Sequence, residues 1–150
     1  MILICIGIVM AVFTADYIIK NKVEKSGNLP RVAGKGCFLL KRYHNKGAML
    51  NLGEKYPKAV AAVSVILTIF VLGLLLFSFG NRGNNLLRVG LSLLLGGAFN
   101  NTYDRLKRKY VVDYLSFRVK WKPLAGVVYN LSDFCIMAGA LISCIAWAGE

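Results

Sequence analysis

From Ala59 to Phe79 the chain runs 21 residues without a charged side chain. A helix rises 1.5 Å per residue, so this stretch matches an apolar bilayer core of about 30 Å. Inside hydrocarbon every backbone N–H and C=O must find an internal partner, which leaves a helix as the available form. Three further runs meet the same constraint. Met1 to Ile19 is apolar apart from Thr14 and Asp16, and no basic residue precedes Lys20. It therefore lacks the charged start and small-residue cleavage pattern of a removed leader and reads as a retained helix. Leu86 to Phe99 is broken only by Arg88 and reaches spanning length by including Asn100 to Tyr103. Val127 to Trp147 holds 21 residues with Asp133 as its only charge, roughly 9 Å along a helix from Val127. The expectation is an α-helical membrane protein of one domain, 1–150, with four transmembrane helices at about 1–19, 59–79, 84–103 and 127–147. An apolar content of 57% agrees with that class.

The connections carry the rest of the information. Lys20 to Lys58 is 39 residues long, too long for a passive loop between packed helices. Cys37 to Tyr43 reads as extended, with Gly34, Gly36, Gly47 and Gly53 around it, so a small sheet on the membrane surface is expected. Leu115, Phe117, Val119 and Trp121 alternate with polar residues, a period of two that predicts a half-buried strand ended by Pro123. The net charge of +12 falls between apolar runs, which points to anionic phospholipid headgroups and away from nucleic acid. Cys5, Cys37, Cys135 and Cys144 form no C-x-x-C pair, so they read as buried apolar residues rather than a disulfide or zinc framework. His44, the single histidine, has no second ligand type beside it and reads as a surface residue.

Four antiparallel helices joined in sequence bring the end of the first, the start of the second, the end of the third and the start of the fourth to one side. Asp16, Lys20, Asn45, Asn101, Asp104, Arg105, Asp113, Asn130 and Asp133 all lie there. The opposite side holds only the turn around Arg82 and the two termini. Aspartate near hydrocarbon costs about 2.5–3.5 kcal/mol on insertion scales, so Asp113 and Asp133 call for a task. Two carboxylates in a dry site cannot both ionise easily. One holds a proton, the other acts as a base, and together they can activate water against an amide. Asn101 and Asn130 can orient a carboxylate or a carbonyl, and Arg105 can neutralise Asp104 or fix a loop. Arg108 is expected to face solvent. Asp16 and Lys20, four apart on one helix face, suit either a structural ion pair or the site itself. Spacing alone leaves open a scaffold in which these residues only cap helices and meet headgroups.

The same residues resemble the lipoprotein signal peptidases, or type II signal peptidases. Asp16-Tyr-Ile-Ile-Lys20 is similar to that family's Asp-Gln-x-x-Lys, and Asn45-Lys-Gly47-Ala48 to its Asn-x-Gly-Ala. Gly96-Gly-Ala-Phe-Asn-Asn-Thr-Tyr-Asp-Arg105 resembles Gly-Gly-Ala-x-Gly-Asn-x-x-Asp-Arg. Val111-Val-Asp-Tyr114 and Tyr129-Asn-Leu-Ser-Asp133 resemble Val-Val-Asp-Phe and Phe-Asn-x-Ala-Asp. The five motifs occur in order from the first apolar run to the last.

The resemblance implies a monomeric enzyme of the bacterial cytoplasmic membrane, with an extracytoplasmic β platform built from the first and third connections. It implies cleavage of lipidated prolipoprotein precursors just before a diacylglyceryl cysteine. Asp113 and Asp133 would be the catalytic aspartates, without metal or cofactor. Asp16, Lys20, Asn45, Gly47, Asn101, Asp104, Arg105 and Asn130 fall on motif positions that would shape the site or meet substrate. Tyr17, Met49, Leu50, Asn100 and Ser132 depart from the pattern and put substrate preference in question. Orientation is contested. Seventeen of the 19 Lys and Arg lie in or beside the first and third connections, which the positive-inside rule would place in the cytoplasm. A non-catalytic lipid- or partner-binding protein on the same scaffold and a small ion carrier are the competing functions. The absence of internal repeats speaks against the carrier.

Overall fold

A computed structural model describes residues 1–34, 37–48, 52–80, 84–118 and 126–149. Met49, Leu50, Arg82 and the 119–123 end of the expected strand lie outside the described residues. The elements in chain order are α1 (Ile2–Lys25), β1 (Arg31–Ala33), β2 (Phe38–Asn45), α2 (Pro57–Ser78), α3 (Asn85–Lys107), β3 (Val111–Phe117), β4 (Val128–Tyr129) and α4 (Leu131–Ala148).

Three of the helices, α1, α2 and α4, are long and apolar enough to cross a membrane, with mean hydropathies of 2.5, 2.9 and 1.8. Their large apolar side chains point outward. Leu3 is 83% exposed, and Phe77 and Trp147 are each 71% exposed. The buried residues of α1 are Cys5, Asp16 and Lys20, so polar groups occupy the interior of its lower half. This inverts a water-soluble core, because lipid solvates the apolar face and leaves only packing and polar contacts to hold helices together. Helix α3 is the central one and packs against the other three. Small residues permit the approach. A Cβ on Gly90 would meet Ser143 Oγ at 2.6 Å, one on Gly96 would meet Val12 Cβ at 2.9 Å, and one on Gly97 would meet the Ser132 carbonyl at 2.5 Å. Side-chain caps start α3 and the last helix, while α1 and α2 have none. Proline opens α2, where no N–H is needed, and the Asn84 side chain accepts from Leu87 N at 2.9 Å to cap α3.

The helix bounds expected from the sequence shift at the site end. Helix α1 continues past residue 19 to Lys25, and α3 past 103 to Lys107, and the buried pair of Lys20 and Asp104 joins the two helices where they run on. Helix α4 starts at Leu131, not at 127. Val128 and Tyr129 pair with β3 instead, and Asn130 caps the helix. Asp133 is thus the third residue of its helix rather than a residue 9 Å deep in it.

The four strands form one antiparallel sheet in the order β1-β2-β3-β4. The first two come from the first connection and β3 from the third, while β4 is formed by Val128 and Tyr129, which were expected in the fourth helix. Strand β3 starts four residues before the alternating stretch that predicted it, so Asp113 is a strand residue. In the β2–β3 register Asn45 lies opposite Val111, which puts Asp113 two residues along on the same face. The cysteines differ from expectation. Only Cys5 is buried, while Cys37 sits on an exposed turn and Cys144 on the outer face of α4.

The packing of α3 on α4 yields a test remote from the aspartates. A Cβ on Gly139 would lie 2.5 Å from Leu94 N and 2.6 Å from the Gly90 carbonyl, both rigid backbone. Gly139→Ala should cost about 1–3 kcal/mol by overpacking and lower the melting temperature in detergent. Gly73→Ala, where nothing lies within 4 Å, should leave it unchanged or raise it slightly.

Candidate active site

Asp113 and Asp133 reach one cleft from different elements. Strand β3 carries Asp113, and the first turn of α4 carries Asp133. Asp113 accepts from Asn45 Nδ2 at 3.0 Å and from Asn130 Nδ2 at 2.7 Å, one donor on each oxygen. Asp133 accepts from Asn101 Nδ2 at 2.9 Å and from the Asn130 backbone N–H at 2.9 Å. Asn130 Oδ1 in turn accepts from the Asp133 N–H at 2.9 Å, completing a capping box. Asn130 therefore touches both carboxylates, its side chain on one and its backbone on the other. Gly47 N donates to Asn45 Oδ1 at 3.0 Å, which fixes that amide with its NH2 group toward Asp113.

Behind this layer lies a buried ionic centre. Lys20 is 0% exposed, and its Nζ lies 3.2 Å from Asp16 Oδ2 and 3.1 Å from Asp104 Oδ2. It donates to Asn100 Oδ1 at 2.6 Å and to Asn101 Oδ1 at 2.8 Å. The second of these bonds forces the Asn101 NH2 group to face Asp133. Asp16 accepts from the Tyr114 hydroxyl at 2.8 Å and from the Ser132 hydroxyl at 2.5 Å. Asp104 also pairs with Arg108 Nε at 3.0 Å. A buried cation needs such saturation, since an unpaired charge in a dry interior costs several kcal/mol.

The cleft has a volume of about 190 Å³, with Asn45, Asn101, Arg105, Asp113 and Asp133 on its polar wall and Val127, Ile136 and Met137 among its apolar lining. Burial, then the charge of Asp133, push Asp113 up to about 7, against the opposing pull of Asn45, Asn130 and Lys20. Near neutrality Asp113 can hold a proton while a second carboxylate stands beside it. Burial and the Asp16 charge raise the Tyr114 hydroxyl well above its ordinary range, so it remains a donor. No group of three or more His, Cys, Asp or Glu that could hold a metal ion occurs among the described residues.

All ten residues singled out from the sequence belong to one connected network, with Gly47 entering through its backbone. Two roles change. Arg105 does not neutralise Asp104, whose oxygens are taken by Lys20, Arg108 and Val112 N. It reaches across to the Gly47 carbonyl at 3.0 Å and the Asn101 carbonyl at 3.4 Å, tying α3 to the turn after β2. Arg108 does not face solvent. Its side chain is 15% exposed and bonds Asn21 Oδ1 at 2.7 Å besides Asp104. The sequence reading missed Tyr114 and gave no role to Ser132 or Asn100. Asn100 accepts from Lys20 and donates to the Phe13 carbonyl at 2.8 Å, so it belongs to the ionic centre. The only signal for Ser132 was its place in a capped first turn between Asn130 and Asp133.

The chain as a whole is similar to known proteins. The sequence profile described as Signal peptidase (SPase) II matches residues 8–148. A lipoprotein signal peptidase of Moorella thermoacetica is 34% identical over 87% of this chain and 80% of its own length. Those of Halothermothrix orenii and Caldicellulosiruptor bescii are 30% and 31% identical, covering 95% and 90% of this chain and 94% and 84% of their own lengths. A crystallised bacterial membrane enzyme superposes with a TM-score of 0.83 over 99% of this chain and 90% of its own, at 22% identity, which marks a shared fold.

Lys20 gives the sharpest test of the ionic centre. Lys20→Met leaves Asp16 buried without its cation and Asp104 with Arg108 alone, and should cost about 3–5 kcal/mol, read as a large fall in melting temperature in detergent. Lys22→Met, exposed on the same helix, should change stability by less than about 0.5 kcal/mol.

Proposed function

Because this chain belongs to the signal peptidase II family, we propose that it is an aspartic endopeptidase of prolipoproteins with Asp113 and Asp133 as its catalytic pair. Its substrates are lipidated precursors, cut just before the diacylglyceryl cysteine to remove the signal peptide. The observation that carries this reading is the meeting of two carboxylates on one cleft, each held by amide donors, with Asp113 raised to about 7.

Asp113 enters the cycle protonated and Asp133 ionised. Asp133 takes a proton from water as the water oxygen bonds to the scissile carbonyl carbon, and Asp113 gives its proton to the carbonyl oxygen. The tetrahedral diol then collapses. Asp133 passes its proton to the leaving nitrogen, and Asp113 recovers one from the diol hydroxyl as the C–N bond breaks. The donors Asn45, Asn101 and Asn130 keep the carboxylates in register through both steps. The apolar cleft wall of Val127, Ile136 and Met137 lies where a signal peptide or acyl chain would rest.

The protein is an integral membrane protein. We take α3 as its fourth crossing, since the other three helices enclose it and its polar last turn sits in the site. The sheet then lies at the extracytoplasmic face of the bacterial cytoplasmic membrane, with residues 1–150 acting as a single monomeric domain. Its basic connections meet anionic phospholipid headgroups, each charge contributing about 1 kcal/mol near the surface.

Two tests follow from this reading. Asp113→Asn and Asp133→Asn should each reduce cleavage of a lipidated precursor by at least about 10²-fold while the protein still inserts. Asp113→Asn has a second signature. The folded pKa of Asp113 lies above its unfolded value of 3.8, so the stability it contributes is complete below about pH 4 and lost as pH rises through 7. Asp113→Asn removes that dependence and should melt higher than the parent at pH 8. Full turnover by either variant at equal expression would remove the pair from the mechanism.

Orientation is tested with thiols. In a background lacking the other native cysteines, a membrane-impermeant reagent on intact cells should label Cys37, which is exposed. A cysteine introduced by Gly80→Cys, where a Cβ meets only the Phe77 carbonyl at 3.4 Å, should react only after the membrane is opened. The reverse pattern would show that charge bias sets the topology and would sink the outward-facing site.

A further inference from the structure

The first turn of α4 is tied down more completely than a helix start requires. A helix leaves its first N–H groups without internal partners, and one capping side chain is the usual provision. Here three successive donors each meet a different side chain. Leu131 N donates to the Tyr114 hydroxyl at 2.9 Å, Ser132 N to Asp16 Oδ2 at 3.2 Å, and Asp133 N to Asn130 Oδ1 at 2.9 Å. Two of these partners are joined, because the Tyr114 hydroxyl donates to Asp16 Oδ1 at 2.8 Å. The Ser132 hydroxyl donates to Asp16 Oδ2 at 2.5 Å, so one carboxylate collects both hydroxyls and a backbone N–H of the turn. Asp16 and Ser132 are 0% exposed and Tyr114 is 7% exposed, which shields these bonds from competing water.

The position of Tyr114 gives the arrangement its meaning. It follows Asp113 on β3, and side chains alternate along a strand, so the two point to opposite faces. Asp113 faces the cleft while Tyr114 reaches behind it to the first residue of the helix that carries Asp133. Neighbouring strand residues thus hold the two aspartates, one directly and one through its helix. Tyr114 and Ser132 also stand where the motifs quoted above have Phe and Ala, neither of which bears a hydroxyl, and both hydroxyls here land on Asp16.

The geometry points to Tyr114, Ser132 and Asp16 as positioning residues that set the separation of Asp113 and Asp133 by bracing strand β3 to the first turn of α4. The inference rests on the catalytic pair proposed above and adds a device that holds it. None of the three touches the cleft-facing oxygens. They act by fixing where the Asp133 carboxylate stands relative to the strand.

The test compares Tyr114→Phe, Ser132→Ala and the double variant, purified in detergent with a lipidated precursor peptide, beside Asp113→Asn and Asp133→Asn. Loss of the two hydrogen bonds of the Tyr114 hydroxyl should lower kcat about tenfold in Tyr114→Phe and leave KM unchanged, since a misplaced carboxylate impairs the transition state and not substrate binding. Because both hydroxyls grip one carboxylate, the double variant should fall short of the product of the single effects. Melting curves report the folded fraction, and should Tyr114→Phe fail to fold, Ser132→Ala carries the same comparison. Wild-type kcat in Tyr114→Phe and Ser132→Ala, next to inactive aspartate variants, removes the brace alone. A raised KM at constant kcat would also overturn it, as would failure of both hydroxyl variants to fold, which would make the hydroxyls structural supports. Turnover by Asp133→Asn takes down the pair, and the brace with it.

Discussion

A single buried ammonium holds the site end of this protein together. Lys20 has no exposed surface and spends its donors on Asp16, Asp104, Asn100 and Asn101, which lie on α1 and α3. The two carboxylates it neutralises then do further work. Asp104 receives Arg108 and the N–H of Val112, which sets the start of β3. Asp16 receives Tyr114 and Ser132, which sets the start of α4. Helix packing supplies the other half of the restraint. In lipid the apolar faces gain nothing by meeting one another, so Gly90, Gly97 and Gly139 allow α3 and α4 to approach until backbone meets backbone.

The proposed catalytic pair is an outgrowth of that centre. Asn101 accepts from Lys20 and donates to Asp133, so a bond made deep in the bundle fixes the direction of an amide at the cleft. Asn130 serves as helix cap, donor to Asp113 and donor to Asp133 within one residue. Stability and chemistry share these groups. The burial that raises Asp113 to about 7 is the same burial that makes its ionised form costly to the fold. Held protonated near neutrality, Asp113 avoids that cost in its resting state.

The departures from the family pattern acquire a physical sense in this setting. Asn100, in place of a glycine, fills its position with an amide that bridges Lys20 and the Phe13 carbonyl. Ser132, in place of an alanine, adds a hydroxyl on Asp16. Tyr17 stacks on Phe13 with ring centroids 6.1 Å apart and meets Tyr103 edge-on at 5.8 Å, an aromatic cluster beside the ionic centre. Asn100, Ser132 and Tyr17 each add contact behind the cleft rather than in it.

Much of this was legible before any coordinates. Apolar runs of about 20 residues dictate helices, because hydrocarbon offers backbone groups no partner. Alternating connections then force Asp16, Lys20, Asn45, Asn101, Asp113, Asn130 and Asp133 to one end, a consequence of topology alone. The period of two after Leu115 announced a strand, though its true start at Val111 stayed hidden because Val111, Val112 and Tyr114 are buried on both faces and do not alternate. The pairing of Asp16 with Lys20 was legible from their spacing, but the partners of Asp104 were not. Asp104 and Arg105 are neighbours in sequence, yet adjacent helix residues point apart, and Asp104 meets Lys20 from 84 positions away. The start of α4 was likewise a tertiary decision. Val127 to Tyr129 continue the apolar run in composition, and only the open edge of β3 draws Val128 and Tyr129 into the sheet, leaving Asn130 to cap the helix and Asp133 to face the cleft.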